Sequence, residues 1–395
     1  MADDLRRRIG LGLLTFYGVG VMVGAGIYVL VGAVAQSAGI YAPVAFLLAG
    51  LVAAPTAFSY GELSARIPEA SGEAAYVEQG LKSRWLAVLV GLAIVITGTF
   101  SAAAVLRGGV GYLTGILDVD TSIAILILGG GLTLVALVGV LESLALAALF
   151  TLIEVLGLGA VIWAGMEAAP VFDIENLPPA HLGGIGAAAA LAFFAFIGFE
   201  DIVNMAEEAV EPTKTLPRAI LLSLLITTFL YALVSFAAVR AVPFAELAAS
   251  DRPLVLVWQA GSAFSPTFLS AIAVVAALNG VLAQIVMASR VLFGLGRRVS
   301  WLHVFNHAHP RFGTPVLATL VLGAGLLVAA LSLPVAELAE MTSTVLLSVF
   351  VIINLSLIVL KRREPAAPFR TWTLVPWLGL FGALAALVLL YAGGS

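Results

Sequence analysis

The chain is a succession of apolar runs, most of them twenty or more residues long and separated by short segments that carry charges, Gly or Pro. A hydrocarbon layer about 30 Å thick takes about 20 apolar residues of helix to cross. Inside that layer only helices and closed barrels satisfy their own backbone, and runs of this length read as helices. Eleven spans are expected, over residues 11–35, 40–64, 85–115, 121–141, 144–166, 184–210, 218–240, 266–295, 314–332, 336–360 and 372–391. They use most of the 395 residues, so residues 1–395 are expected to form a single transmembrane domain with no room for a large soluble one. The composition agrees: 62% of residues are hydrophobic and 11% charged, with a mean hydropathy of +1.11. That is too little charge to cover a soluble surface. The absence of cysteine excludes disulfides, thiolate metal sites and iron–sulfur clusters.

Orientation follows from Lys and Arg, which collect in cytoplasmic loops. The start, MADDLRRRIG, runs into an apolar stretch too long for a signal peptide and reads as leading into a retained span. With the N-terminus cytoplasmic, sixteen of the nineteen basic residues fall in inside segments; the exceptions are Arg107, Arg240 and Arg252. The expected location is a cytoplasmic membrane, crossed many times, with surrounding lipid as a partner.

Two spans are unusual. The first contains Gly18, Gly20, Gly24 and Gly26, and the sixth sets Gly198 beside Glu200 and Asp201. Glycines weaken a helix locally. Gly24-Ala25-Gly26 alone reads rather as a close-packing patch between helices. Interrupted helices at matching positions of two halves, however, point to a mid-membrane binding site. Five spans separate the two, and an odd repeat places the second half upside down. No residue-by-residue repeat is visible, so the symmetry rests on the breaks alone.

Four segments carry a resemblance: VGVMVGAGIYVLVG, FSYGELSARIPEASGEAAYV, FFAFIGFEDIVNMAEEAVEPTKTLPRAI, and ASRVLFGLGRR with HPRFGTPVLA. In order and spacing the chain resembles the amino acid–polyamine–organocation (APC) superfamily of transporters from about Gly10 to Arg363. The resemblance implies an all-α, five-plus-five inverted-repeat fold like that of the leucine transporter. The first repeat would cover about 11–166 and the second about 184–360, with an extra C-terminal helix at about 372–391. Most members have twelve spans; this chain has about eleven, which leaves its oligomeric state open.

The resemblance also implies a site. Amides around Gly24, Ala25 and Gly26 would hold a substrate carboxylate. Carbonyls of Met22, Phe194 and Ile197 would hold its ammonium, with Ala195 and Gly198 completing the second break. Phe194 and Phe199 would form a lid, and Gly98, Ser101 and Ala102 would lie near the substrate side chain. Independently of the family, helix N-termini suit anions and freed carbonyls suit cations, so a zwitterion fits between two broken helices. Small uncharged walls favour a small neutral amino acid over a basic one.

Glu154 lies mid-span in TLIEVLGLGAV. An intramembrane carboxylate is costly when ionised and unpaired, and burial favours its protonated form. Many relatives place a lysine here in lieu of a sodium ion, so the departure leaves both H⁺ and Na⁺ open as coupling ion, with H⁺ favoured. A structural reading, a carboxyl bonded to a free carbonyl, is the alternative. Glu200, where the family often has an acid, is the second coupling candidate. Glu207, Glu208 and Glu211 read as interfacial charges, and Arg66, Glu69, Glu73 and Glu78 as an amphipathic loop helix at the inner surface.

His303 and His307 have the spacing of some zinc sites but no thiol or clear carboxylate partner, so no metal is expected. No catalytic constellation, cofactor motif or nucleic-acid stripe stands out. The chain is therefore expected to be no enzyme but a permease for small neutral L-amino acids, coupled to protons. A polyamine carrier, an uncoupled exchanger and a non-transporting sensor remain open alternatives.

Overall fold

The computed structural model describes residues 9–69, 72–138, 144–173, 177–206, 208–309 and 314–392. In chain order the α-helices are α1 (Leu11–Ala25), α2 (Ile27–Ala38), α3 (Ala42–Arg66), α4 (Gly72–Leu81), α5 (Arg84–Thr114), α6 (Thr121–Val138), α7 (Leu144–Glu167) and α8 (Leu182–Ala192). The second half follows with α9 (Pro212–Ala241), α10 (Phe244–Ala249), α11 (Pro253–Gly261), α12 (Pro266–Arg298), α13 (Val316–Ser332), α14 (Val335–Arg363) and α15 (Val375–Ala392). Among the described residues eight helical stretches are long and apolar enough to cross a membrane, and three shorter apolar helices accompany them. Helix lies at each expected apolar run, with ends displaced by a few residues.

Local chemistry sets many of the ends. The Ser83 hydroxyl accepts from the Leu86 amide at 3.3 Å and starts α5, and the His181 Nδ1 accepts from the Gly184 amide at 3.0 Å and starts α8. Pro occupies the first turn of α9, α11 and α12, where its missing N–H costs nothing. Apolar helices gain little from hiding apolar surface in lipid and associate through close contact of small residues. A Cβ built on Gly109 of α5 would lie 2.4 Å from the Ala277 Cβ of α12, and one on Gly165 of α7 would lie 2.7 Å from the Ala237 Cβ of α9.

Two features depart from the sequence expectation. Residues 241–265 were assigned no span, yet they carry α10 and α11. The first docks on α2, where the Leu247 carbonyl closes over Gly32; the second docks on α7, where Gly261 meets Ala164. At six and nine residues, neither is long enough to show a helical period. The second departure is α4, expected as a surface helix but buried over most of its length, from Gly72 to Val77. Its start packs against Val203 and Asn204, and Gly80 packs on Ser356 of α14.

Both expected interruptions are present. Helix breaks at Gly26 (φ −121°, ψ −52°) between α1 and α2, two residues after Gly24. Beyond α8 the chain makes a tight 3-10 turn (Phe193–Phe196), extends at Ile197, turns at Gly198 with φ +121° and resumes as a second 3-10 segment (Glu200–Met205). A short strap joins the two broken segments at one end: the Ile9 amide donates to the Glu208 carbonyl at 3.0 Å, and the Val210 amide donates to the Ile9 carbonyl at 2.9 Å.

Candidate functional site

The two interruptions lie against each other. A Cβ on Gly26 would fall 2.2 Å from the Ala195 Cα, and a Cβ on Gly198 would fall 2.6 Å from Val21 Cγ1 and 3.2 Å from the Met22 amide nitrogen. The backbones therefore cross in contact at two points, from Val21 to Gly26 on one side and from Ala195 to Gly198 on the other. Gly198 can supply this because a positive φ and a missing Cβ are both required there. Gly24 and Ala25 form the last turn of α1, immediately before the break.

Three tyrosines fasten this crossing to its surroundings. Tyr231 of α9 donates to the Met22 carbonyl at 2.7 Å. Tyr112 of α5 donates to the Tyr28 carbonyl at 2.7 Å, and the Tyr28 hydroxyl donates to the Glu154 carbonyl of α7 at 3.1 Å. The Phe194 carbonyl accepts from the Ile197 amide at 3.2 Å. Of the carbonyls expected to face an ammonium, those of Met22 and Phe194 thus already accept at least one hydrogen bond each.

Phe194, Ala195, Ile197 and Phe199 are buried. The aromatics divide into two groups: Phe196 meets Tyr231 at 5.3 Å, while Phe193 and Phe199 pack on Phe350 of α14 at 5.8 and 5.3 Å. Phe199 also stands edge-on to Tyr60 of α3 at 5.8 Å. On α5, Gly98 approaches Gln284, Met287 and Ala288 of α12, Ala102 is buried, and the buried Ser101 hydroxyl has no hydrogen-bond partner among the described residues.

The acids fall in two places. Glu154 has no exposed surface; its Oε1 accepts from Asn279 Nδ2 of α12 at 3.2 Å, and among the described residues its Oε2 has no partner. Glu200 lies at the second break, where its Oε2 accepts from the Gly198 amide at 3.0 Å. Beside it, the Asp201 carboxylate accepts from Gln284 Nε2 at 3.3 Å. Glu73, at the start of α4, faces the same cluster and accepts from the Tyr60 hydroxyl at 3.4 Å. Burial pushes the Glu73 carboxyl up to about 7, against the opposing hydrogen bonds from its own backbone and from Tyr60.

Tyr28, Tyr112, Tyr231, Asn279 and Gln284 were not singled out from the sequence. Asn279 and Gln284 stand in an otherwise apolar run, AVVAALNGVLAQ, and that isolation is a usable signal. The tyrosines give none, because an aromatic in an apolar helix reads as packing.

Comparison with known proteins gives the family. A sequence profile of the family described as amino acid permease matches residues 9–394. The branched-chain amino acid permease BcaP of Bacillus subtilis is 29% identical over 387 residues, covering 92% of this chain and 83% of the relative. An uncharacterized transporter of Mycobacterium tuberculosis is 32% identical, covering 97% of this chain and 86% of its own length. The vacuolar cationic amino acid transporter 4 of Arabidopsis thaliana is 30% identical, over 92% of this chain and 64% of its own length. Apolar helices, two interruptions in contact and a match along nearly the whole chain lead to one conclusion: the chain belongs to the amino acid permease family of the APC superfamily and is a multi-pass membrane transporter rather than an enzyme.

Proposed function

We propose that the protein is a proton-coupled secondary transporter of small neutral L-amino acids in a plasma membrane, with its N-terminus cytoplasmic and two inverted five-helix repeats. The observation that carries this reading is the contact between the two helix interruptions, Gly26 on Ala195 and Gly198 on Met22. Such a crossing offers amides for a carboxylate and carbonyls for an ammonium while asking nothing of charged side chains. In this reading the carboxylate is held by the amides of residues 24–26, of which those of Gly24 and Ala25 become free only when the last turn of α1 unwinds, and the ammonium by the carbonyls of Met22, Phe194 and Ile197. Phe194 and Phe199 form the lid, and Phe199 packs on Tyr60 of α3 and Phe350 of α14. Small neutral walls at Gly98, Ser101 and Ala102 support a neutral side chain, as does the name of the Bacillus relative. The plant relatives are named for cationic substrates, so basic amino acids form the rival arm of the test.

Glu154 is the proton carrier in this reading. Among the described residues its one side-chain donor is Asn279, and the other carboxyl oxygen has no match; the Tyr28 hydroxyl, two residues beyond the Gly26 break, donates to the Glu154 backbone carbonyl. Movement at the break therefore reaches the helix that carries the acid. Glu154→Gln keeps size and hydrogen bonding but cannot titrate. In proteoliposomes the variant is expected to bind and exchange substrate, as read by counterflow, yet fail to accumulate it under an imposed pH difference. Undiminished pH-driven accumulation would remove Glu154 and move the role to Glu200. Sodium-dependent uptake by the wild type would overturn proton coupling, and preference for lysine or arginine over alanine, valine or leucine would overturn the neutral substrate class.

A further inference from the structure

A cavity lies at the level where two membrane helices end. It occupies about 780 Å³ between the first turns of α5 and the C-terminal end of α12, beside the 3-10 segment Ser300–Phe305. Arg84, Arg297 and Arg298 line it. Arg298 pairs with Glu78 of α4 at 2.7 Å. Among the described residues neither Arg84 nor Arg297 has a carboxylate partner. Arg84 donates to the Arg298 carbonyl. Arg297 donates to the Asn306 side chain at 3.3 Å and rests 4.6 Å from the centre of the Phe293 ring. Among the described residues two guanidinium charges thus have no counter-charge, at a cavity of this size.

The walls say which anion fits. Trp85 and Trp301 line the same cavity and are 73% and 66% exposed. Tryptophan concentrates at the headgroup level, where its ring is apolar and its N–H is wet. From there Leu89 and Leu92 continue the lining up the apolar face of α5. A free inorganic anion makes no use of such a face. A molecule with a negative head and hydrocarbon tails uses both parts.

We propose that this cavity seats the headgroup of an anionic phospholipid, with its phosphate on Arg84 and Arg297 and its acyl chains along the Leu89–Leu92 side of α5. The bound lipid then joins α5 to the end of α12 at that membrane face. The test is native mass spectrometry of the full chain released from detergent with phosphatidylglycerol and phosphatidylcholine of identical acyl chains. The wild type is expected to retain phosphatidylglycerol in preference. Arg84→Gln and Arg297→Gln each lower that preference about fivefold, whereas Arg84→Lys and Arg297→Lys keep most of it. Neither Gln change orphans a carboxylate, and thermal midpoints check the fold. A second readout needs no variant: brominated phosphatidylglycerol is expected to quench the protein's tryptophan emission more than brominated phosphatidylcholine. Equal retention or equal quenching of the two lipids by the wild type overturns the proposal, as does an unchanged preference in the folded Gln variants. Displacement of the lipid by millimolar inorganic phosphate would make this a free-anion site and also overturn it.

Discussion

Gly198 concentrates the demands of the site in one residue. Its φ of +121° belongs to a region that side-chain-bearing residues rarely adopt, and its missing Cβ is the space occupied by Val21 and the Met22 amide. Gly198→Ala meets both penalties, a backbone cost of about 1–3 kcal/mol and a contact at 2.6 Å that pushes the two breaks apart. Loss of substrate-induced thermal stabilisation, together with a lower midpoint of the empty protein, is the expected result. Gly12→Ala, in the first turn of α1 with nothing within 4 Å, serves as the control and should change neither. Wild-type ligand stabilisation in Gly198→Ala would remove the crossing from the site. The breaks were legible because glycines cluster at matching places of two spans five apart, whereas a lone glycine in an apolar run reads as packing. Their partners were not: Tyr231 reaches Met22 across 209 residues of chain and Asn279 reaches Glu154 across 125. No local pattern reports a contact over such distances.

At the scale of elements, α4 is where sequence and structure differ most. Ten residues with Glu73 and Glu78 read as an amphipathic surface helix. Instead, its N-terminal end enters the packing beside the second break, placing Glu73 near Glu200 and Asp201. Tertiary contact decides such a short helix, since fewer than three turns carry too little periodic signal. The burial of Glu73 has a measurable consequence. A free glutamate loses its proton near 4.5, whereas in the folded protein burial holds Glu73 protonated up to about 7. Across that window the unfolded chain is ionised and the folded one is not, so this residue's contribution to stability falls as pH rises from about 4.5 to about 7 and then levels off. The loss amounts to at most about 3 kcal/mol. Glu73→Gln removes it. The difference in thermal midpoint between variant and wild type is therefore expected to grow, in the variant's favour, over that range. A difference independent of pH would show that Glu73 ionises as freely as an exposed carboxylate.

For the whole molecule, span positions were legible because crossing a membrane imposes a length and a composition that few other structures share. The orientation we propose rests on the sixteen-to-three division of basic residues and is open to a direct test, since the chain has no cysteine of its own. Gln79→Cys, exposed on α4, is expected to react with a membrane-impermeant maleimide only after permeabilisation, and Glu246→Cys, exposed on α10, in intact cells. The reverse pattern would invert the molecule. Whatever is fused ahead of Ile9 hangs, through its two backbone bonds, on residues 208–210 just beyond the second break. A bulky affinity tag at that end loads the broken pair, whereas one at the far end hangs beyond α15. By the same route, an environment-sensitive dye attached beside Ile9 turns the strap into a wire from the substrate site to a spectrometer.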